Sequence, residues 1–369
     1  MKELVLAVIT FFVGIIIIVL INNIFKISAQ FFGVELGILI CIIIVMLLNF
    51  VKKQSSIGDN RAKWVKRIST KGISEKFKSI YEYIESNYTK ELEFYRKSLI
   101  KRIIILGIIM IGITLIYFIT LSKTNNKGVI GVFFFFVYGL YIFFYRKYNG
   151  KYQYRYKDIV INAFLDSFPY RLNYENKSNN ELEKFFDDGN FVKSNYNKFV
   201  SDDYISGRAK DIWLEISDIS LEVKSKKFSY KIWNGVFSFS KINRKIDGEL
   251  RIKRNKLLKQ YNKQRIELDS TEFEKYFDVY GNSNIFGFEI LTHEVMEEIV
   301  QFYNMYKIDF EIVIKENRIY IKYDVGDIFE GAIFSKSTNM KSLWVCYSII
   351  NFIINLTTKI NKTLEEKVV

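Results

Sequence analysis

The one histidine of the chain, His293, is the first candidate for chemistry, because imidazole is a common general base and metal ligand. It stands in the pattern His-Glu-x-x-x-Glu together with Glu294 and Glu298. A helical zinc hydrolase site needs a second histidine one turn later, and this chain has none. We therefore interpret His293 and its carboxylates as the solvated first turn of a helix, where the helix dipole favours acidic side chains.

Two pairs of aspartates are candidates for holding a divalent cation, which prefers oxygen ligands. Asp202 and Asp203 stand in SDDYISG, and Asp324 and Asp327 stand in YDVGDIF. Neither spacing matches a calcium-binding loop. We favour turn and capping roles for all four side chains.

The other patterns that carry chemistry do not occur in the sequence. No GxxxxGK or GxGxxG motif follows a predicted strand, and without another histidine there is no Ser-His-Asp or Cys-His arrangement. Cys41 and Cys346 lie in apolar stretches, which is typical of buried small hydrophobic residues. The sequence therefore predicts no catalytic, cofactor-binding or metal-binding residues, no cofactor and no enzymatic activity.

Basic residues are the main charge feature, with a net charge of +14. Residues 1–145 hold 18 Lys and Arg against 8 acidic residues, so most of the excess lies outside the C-terminal part, and we expect no nucleic-acid partner. Residues 241–265 hold ten Lys and Arg against two acidic residues. We favour a solvated strand edge there, and the alternative is contact with anionic lipid headgroups.

Four apolar segments, residues 4–21, 31–51, 103–122 and 129–145, predict transmembrane helices in two hairpins. Glu35 is near enough to the start of the second segment to stay hydrated. The segment 52–102 carries 14 Lys and Arg, and more follow residue 145. Because basic connections stay on the inner side, we expect both termini and everything after residue 145 in the cytoplasm of a bacterium, below its inner (plasma) membrane.

Four regions follow from these boundaries. They are an N-terminal transmembrane hairpin (1–51), a cytoplasmic helical stalk (52–102), a second transmembrane hairpin (103–145) and a cytoplasmic α+β domain (146–369). The stalk carries an apolar stripe at helical spacing that we expect to pack on the α+β domain, with an oligomerising coiled coil as the alternative. Its members are Phe77, Tyr81, Ile84, Tyr88, Leu92, Tyr95 and Leu99.

Segregated strands and helices after residue 145 predict an α+β domain with an antiparallel sheet. We predict helices over 156–168, 180–188, 292–306 and 340–363, and strands over 211–223, 249–253, 265–268 and 287–291. Hairpins are predicted to turn at Asn234-Gly235 and at 315–317. The apolar run 343–356 is short and contains Ser348, Asn351 and Asn355, which favours a buried core helix over one that lies on a bilayer.

Several segments resemble one bacterial protein family when they are taken in order. They are SDDYISGRAKDIWLEISDISLE, WNGVFSFS, ELDSTEFEKYFDVYGNSN, FEILTHEVMEEIVQF, NRIYIKY and IFEGAIF. This order is similar to that of the bacterial membrane proteins grouped as domain-of-unknown-function family 3137, over roughly residues 60–360. The resemblance implies a membrane-tethered cytoplasmic α+β domain and brings no known activity, substrate or catalytic residue.

The sequence as a whole favours an integral membrane protein whose cytoplasmic domain is a binding, scaffold or sensor module. Its expected partners are the lipid bilayer, a cytoplasmic protein or a second copy of the chain, and anionic lipid headgroups. The alternative is an oligomeric channel or membrane-disrupting effector built from the four spans, for which Glu35, Asn49, Thr114 and Thr120 would supply polar groups.

Overall fold

A computed structural model describes residues 73–121, 127–176, 181–192, 196–225, 229–255, 264–282, 284–326, 328–333, 337–338 and 340–366. The chain divides into two compact units, Met1–Asn60 and Arg61–Val369, and all of the described residues belong to the second.

Helices and strands of the second unit follow one another in a mixed order along the chain. The helices are α1 (Glu75–Leu121), α2 (Lys127–Tyr156), a π-helical turn (Lys157–Ile161), α3 (Asn162–Asp166), α4 (Glu181–Asp188), α5 (Thr271–Glu274), α6 (Asn284–Ile290), α7 (His293–Tyr306) and α8 (Met340–Glu366). The strands are β1 (Arg171–Glu175), β2 (Lys198–Ala209), β3 (Ile212–Lys224), β4 (Ser229–Arg254), β5 (Gln264–Ile266), β6 (Phe277–Gly281) and β7 (Phe310–Tyr323).

All seven described strands form one antiparallel sheet around the long strand β4. The first half of β4 pairs with β3, which continues to β2 and β1, and its last residues pair with β6, which continues to β5. Strand β7 pairs with β4 on its other edge, from Val236↔Tyr323 to Ile252↔Ile312. The predicted α+β fold with an antiparallel sheet is therefore confirmed.

One face of the sheet is covered by α8, α7 and α1. Most residues of α8 from 342 to 364 are buried, and the hydroxyl groups of Ser348, Thr357 and Thr358 donate to carbonyls one turn earlier in the helix, as Ser348 Oγ does to Trp344 O at 2.6 Å. Thr357 also contacts Ser240 of β4 at 2.6 Å between hydroxyl oxygens. Because these polar groups are satisfied, α8 can serve as the core helix that the sequence predicts.

The opposite face of the sheet is covered by α4, which is held by a buried arginine. Arg251 is 1 % exposed and donates to Glu311 Oε1 at 2.5 Å. It also donates to the carbonyls of Gly189 at 2.7 Å and Asn190 at 3.3 Å, just after the end of α4. A planar guanidinium has enough donors to bind a carboxylate and helix-end carbonyls together, so Arg251 fixes α4 on the sheet.

Both predicted hairpin turns are wrong, because the residues lie inside continuous strands. Gly235 pairs with Ile219 in the middle of β4, and a Cβ there would lie 2.3 Å from the carbonyl oxygen of Tyr323. The glycine is thus required by close approach of β7 and not by a turn. At 315–317, Glu316 has φ 55° and pairs with Ile246 of β4, where the register between β4 and β7 shifts because β4 carries extra residues.

Three other predicted helices agree with the structure, one predicted helix begins earlier, and one predicted strand is a helix. Helices predicted over 180–188, 292–306 and 340–363 are confirmed as α4, α7 and α8. The helix predicted to begin at 156 is instead a continuation of α2 through the π-helical turn and α3. Residues 287–291 were expected as a strand but belong mainly to α6, where Gly287 packs against the side chain of Ile266.

The prediction of four transmembrane helices in two hairpins is wrong as an account of this fold. Among the described residues one helix, α8, is long and apolar enough to cross a membrane, and 78 % of its most apolar window is buried inside the protein. The first predicted hairpin, residues 1–51, lies outside the described residues.

The third and fourth predicted spans are parts of longer helices. Residues 103–121 are the end of α1, which begins in a charged segment, and residues 129–145 lie within α2, which runs on through Arg146 and Lys147. The two helices pack against each other and bury some of their apolar residues. These include Leu99, Ile103, Val137, Tyr141 and Tyr145. Helix–helix contact accounts for these buried residues, whereas five isoleucines of the same run in α1 stay exposed: Ile104, Ile105, Ile108, Ile109 and Ile113.

The apolar stripe of the predicted stalk packs against the α+β core, as expected. Phe77 is fully buried, and its ring lies 4.9 Å from that of Trp344 and 5.4 Å from that of Tyr347, both on α8. Ile84 and Leu92 of the same stripe are also fully buried in the main core. The first half of α1 is therefore part of the folded unit.

Candidate functional site

A basic cleft of about 570 Å³ lies between α1 and α2. We call it the basic cleft. Its lining consists of Tyr95, Ser98, Leu99, Arg102, Arg146, Lys147, Tyr148, Gly150, Lys151, Tyr152, Tyr154 and Arg155. Five of these residues are basic, four are tyrosines, and none is acidic. Guanidinium, ammonium and phenol groups are donors that can bind an anion.

Helix periodicity and cross-helix stacking place the basic groups of the cleft. Arg102 on α1 lies over the ring of Tyr148 on α2, 5.8 Å from its centre, and Arg155 on α2 lies over the ring of Tyr95 on α1 at the same distance. These two reciprocal cation–π contacts join the helices at both ends of the cleft. Because each guanidinium is held on an aromatic ring, it is positioned before a ligand arrives.

Hydrogen bonds to the loop that precedes α8 hold the wall of the cleft that α2 forms. Tyr152 is buried and donates to Ala332 O at 2.9 Å. The neighbouring Gln153 both donates to Gly331 O at 3.0 Å and accepts from Gly331 N at 2.7 Å. This loop contains part of the IFEGAIF segment, so the motif has a structural role in holding α2.

The wall formed by α1 is tied to the same loop. Glu93 binds the guanidinium of Arg96 with both oxygens, at 2.7–3.0 Å, and accepts from Ser337 N at 2.8 Å. Arg96 in turn donates to Ile333 O at 2.9 Å. Burial alone would raise the pKa of Glu93, but the hydrogen bonds from Arg96 and Ser337 lower it to about 2. Both helices that bound the cleft are therefore held by the same loop, the one that precedes α8.

A second polar cluster lies one turn beyond the cleft, where α2 becomes π-helical. Lys157 has a side chain that is 7 % exposed, with Nζ 2.7 Å from Asp203 Oδ2, 2.8 Å from Glu330 Oε1 and 3.9 Å from Asp202 Oδ2. Tyr174 donates to the other oxygen of Asp203 at 2.5 Å. We call these five residues the ion cluster.

The charges of the ion cluster depend on each other. Burial by itself would lower the pKa of Lys157, but the carboxylates of Glu330 and Asp203 raise it above its usual value. Burial raises the pKa of Asp203 to about 6, against the attraction of Lys157 and the hydrogen bond from Tyr174. At neutral pH the cluster is thus a buried ion pair.

The ion cluster is also where three carboxylates come close enough to hold a metal. Oxygens of Asp202, Asp203 and Glu330 all lie within 4.8 Å of one another. The ammonium group of Lys157 already lies against two of these side chains, and a second cation there would be repelled. We had expected Asp202 and Asp203 to lie in a turn, and this expectation is wrong. Asp203 has φ 54° and forms a bulge in β2, which directs its side chain into the core.

The histidine pattern does not assemble into a site. His293 and Glu294 are exposed at the start of α7, as expected for a solvated first turn. Glu298 instead accepts from Lys359 of α8 at 2.7 Å. His293 lines a second cleft of about 550 Å³ beside α7, which also contains Glu297, Gln301 and Met305.

The remaining candidate residues are dispersed. Asp324 accepts from Trp233 Nε1 at 2.8 Å, whereas Asp327, Glu35, Asn49 and Cys41 lie outside the described residues. Residues 114 and 120 lie in α1, and nothing is described of their side chains. Cys346 is buried in the core, as predicted, and burial raises the pKa of its thiol.

The basic stretch 241–265 does not form one exposed face. Arg251 is buried, and Arg254 lies 3.9 Å from the centre of the Tyr303 ring. Residues 256–263 lie outside the described residues. Exposed basic residues of this stretch are Lys241, Arg244 and Lys245. Five exposed basic residues line the cleft between α1 and α2, and sequence reasoning had treated the basic residues of these segments only as a sign of membrane orientation.

The described part of the chain is an α+β protein in which a helical hairpin with a basic cleft joins an antiparallel sheet. Residues 231–362 match the model of the family described as "Protein of unknown function (DUF3137)". This match confirms the family resemblance over residues 231–362.

Comparisons with curated proteins and with solved structures assign no fold or function to the chain. No curated protein matches the chain. A solved structure, the crystal structure of the mycobacterial trehalose monomycolate transport factor A, TtfA, matches at 7 % identity over 52 % of this chain and 86 % of that chain. Its TM-score of 0.29 is too low to support an argument about fold or function.

Proposed function

We propose that this chain is a non-enzymatic binding protein whose basic cleft holds a ligand with two or more phosphate groups. The supporting observation is that five basic and four tyrosine side chains line one cleft that has no acidic residue in its lining. A cluster of this kind attracts anions, because no carboxylate belongs to the described lining and the one described ion pair of its cations is that of Arg155 with Asp158, at 3.8 Å, outside the lining.

The types of side chain favour phosphate over other anions. Guanidinium groups donate in a planar fork that matches phosphate oxygens, and ammonium groups add charge. Three arginines and two lysines supply both kinds of donor. The span also exceeds one phosphate, since Arg146 and Arg155 are separated by about 13.5 Å along a helix that rises about 1.5 Å per residue.

Inorganic pyrophosphate is a direct probe of this proposal. We expect the purified chain to bind it in calorimetric titrations at low ionic strength, and the affinity to fall as salt is added. The double variant Arg146→Glu/Lys151→Glu should bind at least tenfold more weakly. Both side chains are exposed, so the variant should keep the thermal unfolding midpoint of the parent.

A matched variant separates a site from general positive charge. Arg244→Glu/Lys245→Glu changes the net charge by the same amount on an exposed part of β4, away from the cleft. It should leave pyrophosphate binding within twofold of the parent. Equal losses in the two variants, or no binding by the parent chain, would overturn the proposal.

Two other expectations remain predictions. One is a partner, either another protein or a second copy of the chain. The other is a location at the bacterial cytoplasmic membrane. The alternative of a channel or membrane-disrupting effector required four spans, and we do not propose it.

A further inference from the structure

A row of exposed aliphatic and aromatic side chains begins where the basic cleft ends. We call it the apolar strip. It comprises Ile104, Ile105, Ile108, Ile109 and Ile113 on α1 and Phe136 and Phe143 on α2, with exposed fractions of 41–64 %. Single exposed hydrophobic residues are ordinary, but a contiguous group of this size marks a binding surface.

The strip is continuous with the cleft on both helices. Ile105 follows Arg102 by three residues, and Phe143 precedes Arg146 by three residues. On each helix the cation of the cleft and these exposed apolar side chains are thus within about one helical turn, about 5 Å, of each other. A ligand whose charged end lay in the cleft would place anything attached to that end over the strip.

The side chains of the strip distinguish among possible occupants. Five of the seven are isoleucines, which offer methylene and methyl contacts and no flat surface for a stacked base. A second copy of this chain could cover the isoleucines, but it would add more cleft cations and bring no carboxylate of the described cleft lining to neutralise them. An amphiphile satisfies both surfaces at once, because it carries an anionic head and an aliphatic tail.

We propose that the basic cleft and the apolar strip together bind one amphiphile, whose head carries two phosphates and whose tail is aliphatic. The phosphates lie among Arg102, Arg146 and Lys151, and the tail lies along Ile105, Ile108 and Ile109. This inference rests on the proposed phosphate-binding function and adds the class of ligand. Such a ligand is a diphosphate ester of a long alcohol.

A series of soluble diphosphates tests the tail without changing the head. Pyrophosphate and dimethylallyl, geranyl and farnesyl diphosphates carry no tail or tails of increasing length. Each methylene that is buried strengthens binding roughly fourfold. We expect the affinity to rise along the series and farnesyl diphosphate to bind at least tenfold more tightly than pyrophosphate. Farnesol, which lacks the phosphates, should not bind measurably.

A variant in the strip separates this inference from the proposed function. In Ile108→Asn/Ile109→Asn, farnesyl diphosphate should bind no more tightly than pyrophosphate, while pyrophosphate binding stays unchanged and shows that the protein is folded. The matched control Ile285→Asn/Phe288→Asn alters two exposed apolar residues of α6 and should keep the gain from the tail. Farnesyl diphosphate should bind more tightly than vesicles that contain a glycerolipid with two phosphates, and the reverse order would overturn the assignment of the ligand as a diphosphate ester.

Three results would overturn the inference. The first is an affinity that does not increase with tail length while pyrophosphate still binds, which would leave the phosphate site intact. The second is a single-stranded oligonucleotide that binds more tightly than farnesyl diphosphate. The third is a dimer that dissociates in Ile108→Asn/Ile109→Asn, measured by sedimentation, without any effect of that variant on farnesyl diphosphate.

Discussion

The ammonium group of Lys157 lies 2.7 Å from a carboxylate oxygen of Asp203, which is 46 residues further along the chain. Both side chains are almost fully buried. The lysine begins the π-helical turn that follows α2, and the aspartate occupies a bulge in β2. The Lys157–Asp203 pair therefore connects the helical hairpin to the sheet, and each partner lies in an irregular backbone segment.

Replacing Lys157 should destabilise the protein. Lys157→Met leaves Asp203 buried without its cation, which typically costs about 3–5 kcal/mol of unfolding free energy. Adding Asp203→Asn should recover part of the loss, because the uncompensated charge is gone. Urea unfolding measures both effects. Lys151→Met, on the exposed side of α2, is the control and should change stability by less than about 0.5 kcal/mol. Equal midpoints for Lys157→Met and the parent would contradict a structural role for the pair.

Glu93 should make the stability depend on pH in the acid range. Its folded pKa of about 2 lies below the usual 4.5, so its contribution is complete above pH 4.5 and is lost as the pH falls toward 2. We expect Glu93→Gln to lower the unfolding free energy at pH 7 by about 1.5–3 kcal/mol, the range for hydrogen bonds to charged groups. The difference from the parent should shrink below pH 4.5.

Urea titrations from pH 7 to pH 2.5 test the role of Glu93. Glu91→Gln, which alters an exposed neighbour on α1, should parallel the parent at every pH. A difference between Glu93→Gln and the parent that is constant over the whole range would contradict the lowered pKa.

Gly235 should not tolerate a side chain. In Gly235→Ala the new Cβ would meet the carbonyl oxygen of Tyr323 at 2.3 Å, so β4 and β7 must separate. The cost should be about 1–3 kcal/mol, as for other overpacked sites. Gly139→Ala, in α2, has no atom within 4 Å of the new Cβ and should stabilise the helix by about 0.5–1 kcal/mol. Thermal unfolding of the two variants should therefore shift in opposite directions, and a shift in the same direction would refute the close approach.

Local patterns in the sequence determined the elements whose signals do not depend on distant partners. The bounds of α7 follow from a 3.6-residue apolar period between residues 292 and 306, and the apolar residues of α8 indicated a core helix. The antiparallel α+β class followed from segregated helices and strands. The ordered segments also identified the family, which the match over residues 231–362 confirmed.

Tertiary structure alone decided which distant residues meet. Asn234-Gly235 has the residues of a turn, but the approach of β7 makes it the interior of a strand. The apolar residues of α1 and α2 are partly buried between two helices, which hydropathy cannot reveal. The basic cleft needs residues near 100 and 150 to face each other, and the Lys157–Asp203 pair needs a helix end to meet a bulge. Such contacts depend on packing energies between segments far apart in sequence, and a periodic pattern records only which face of its own segment is apolar.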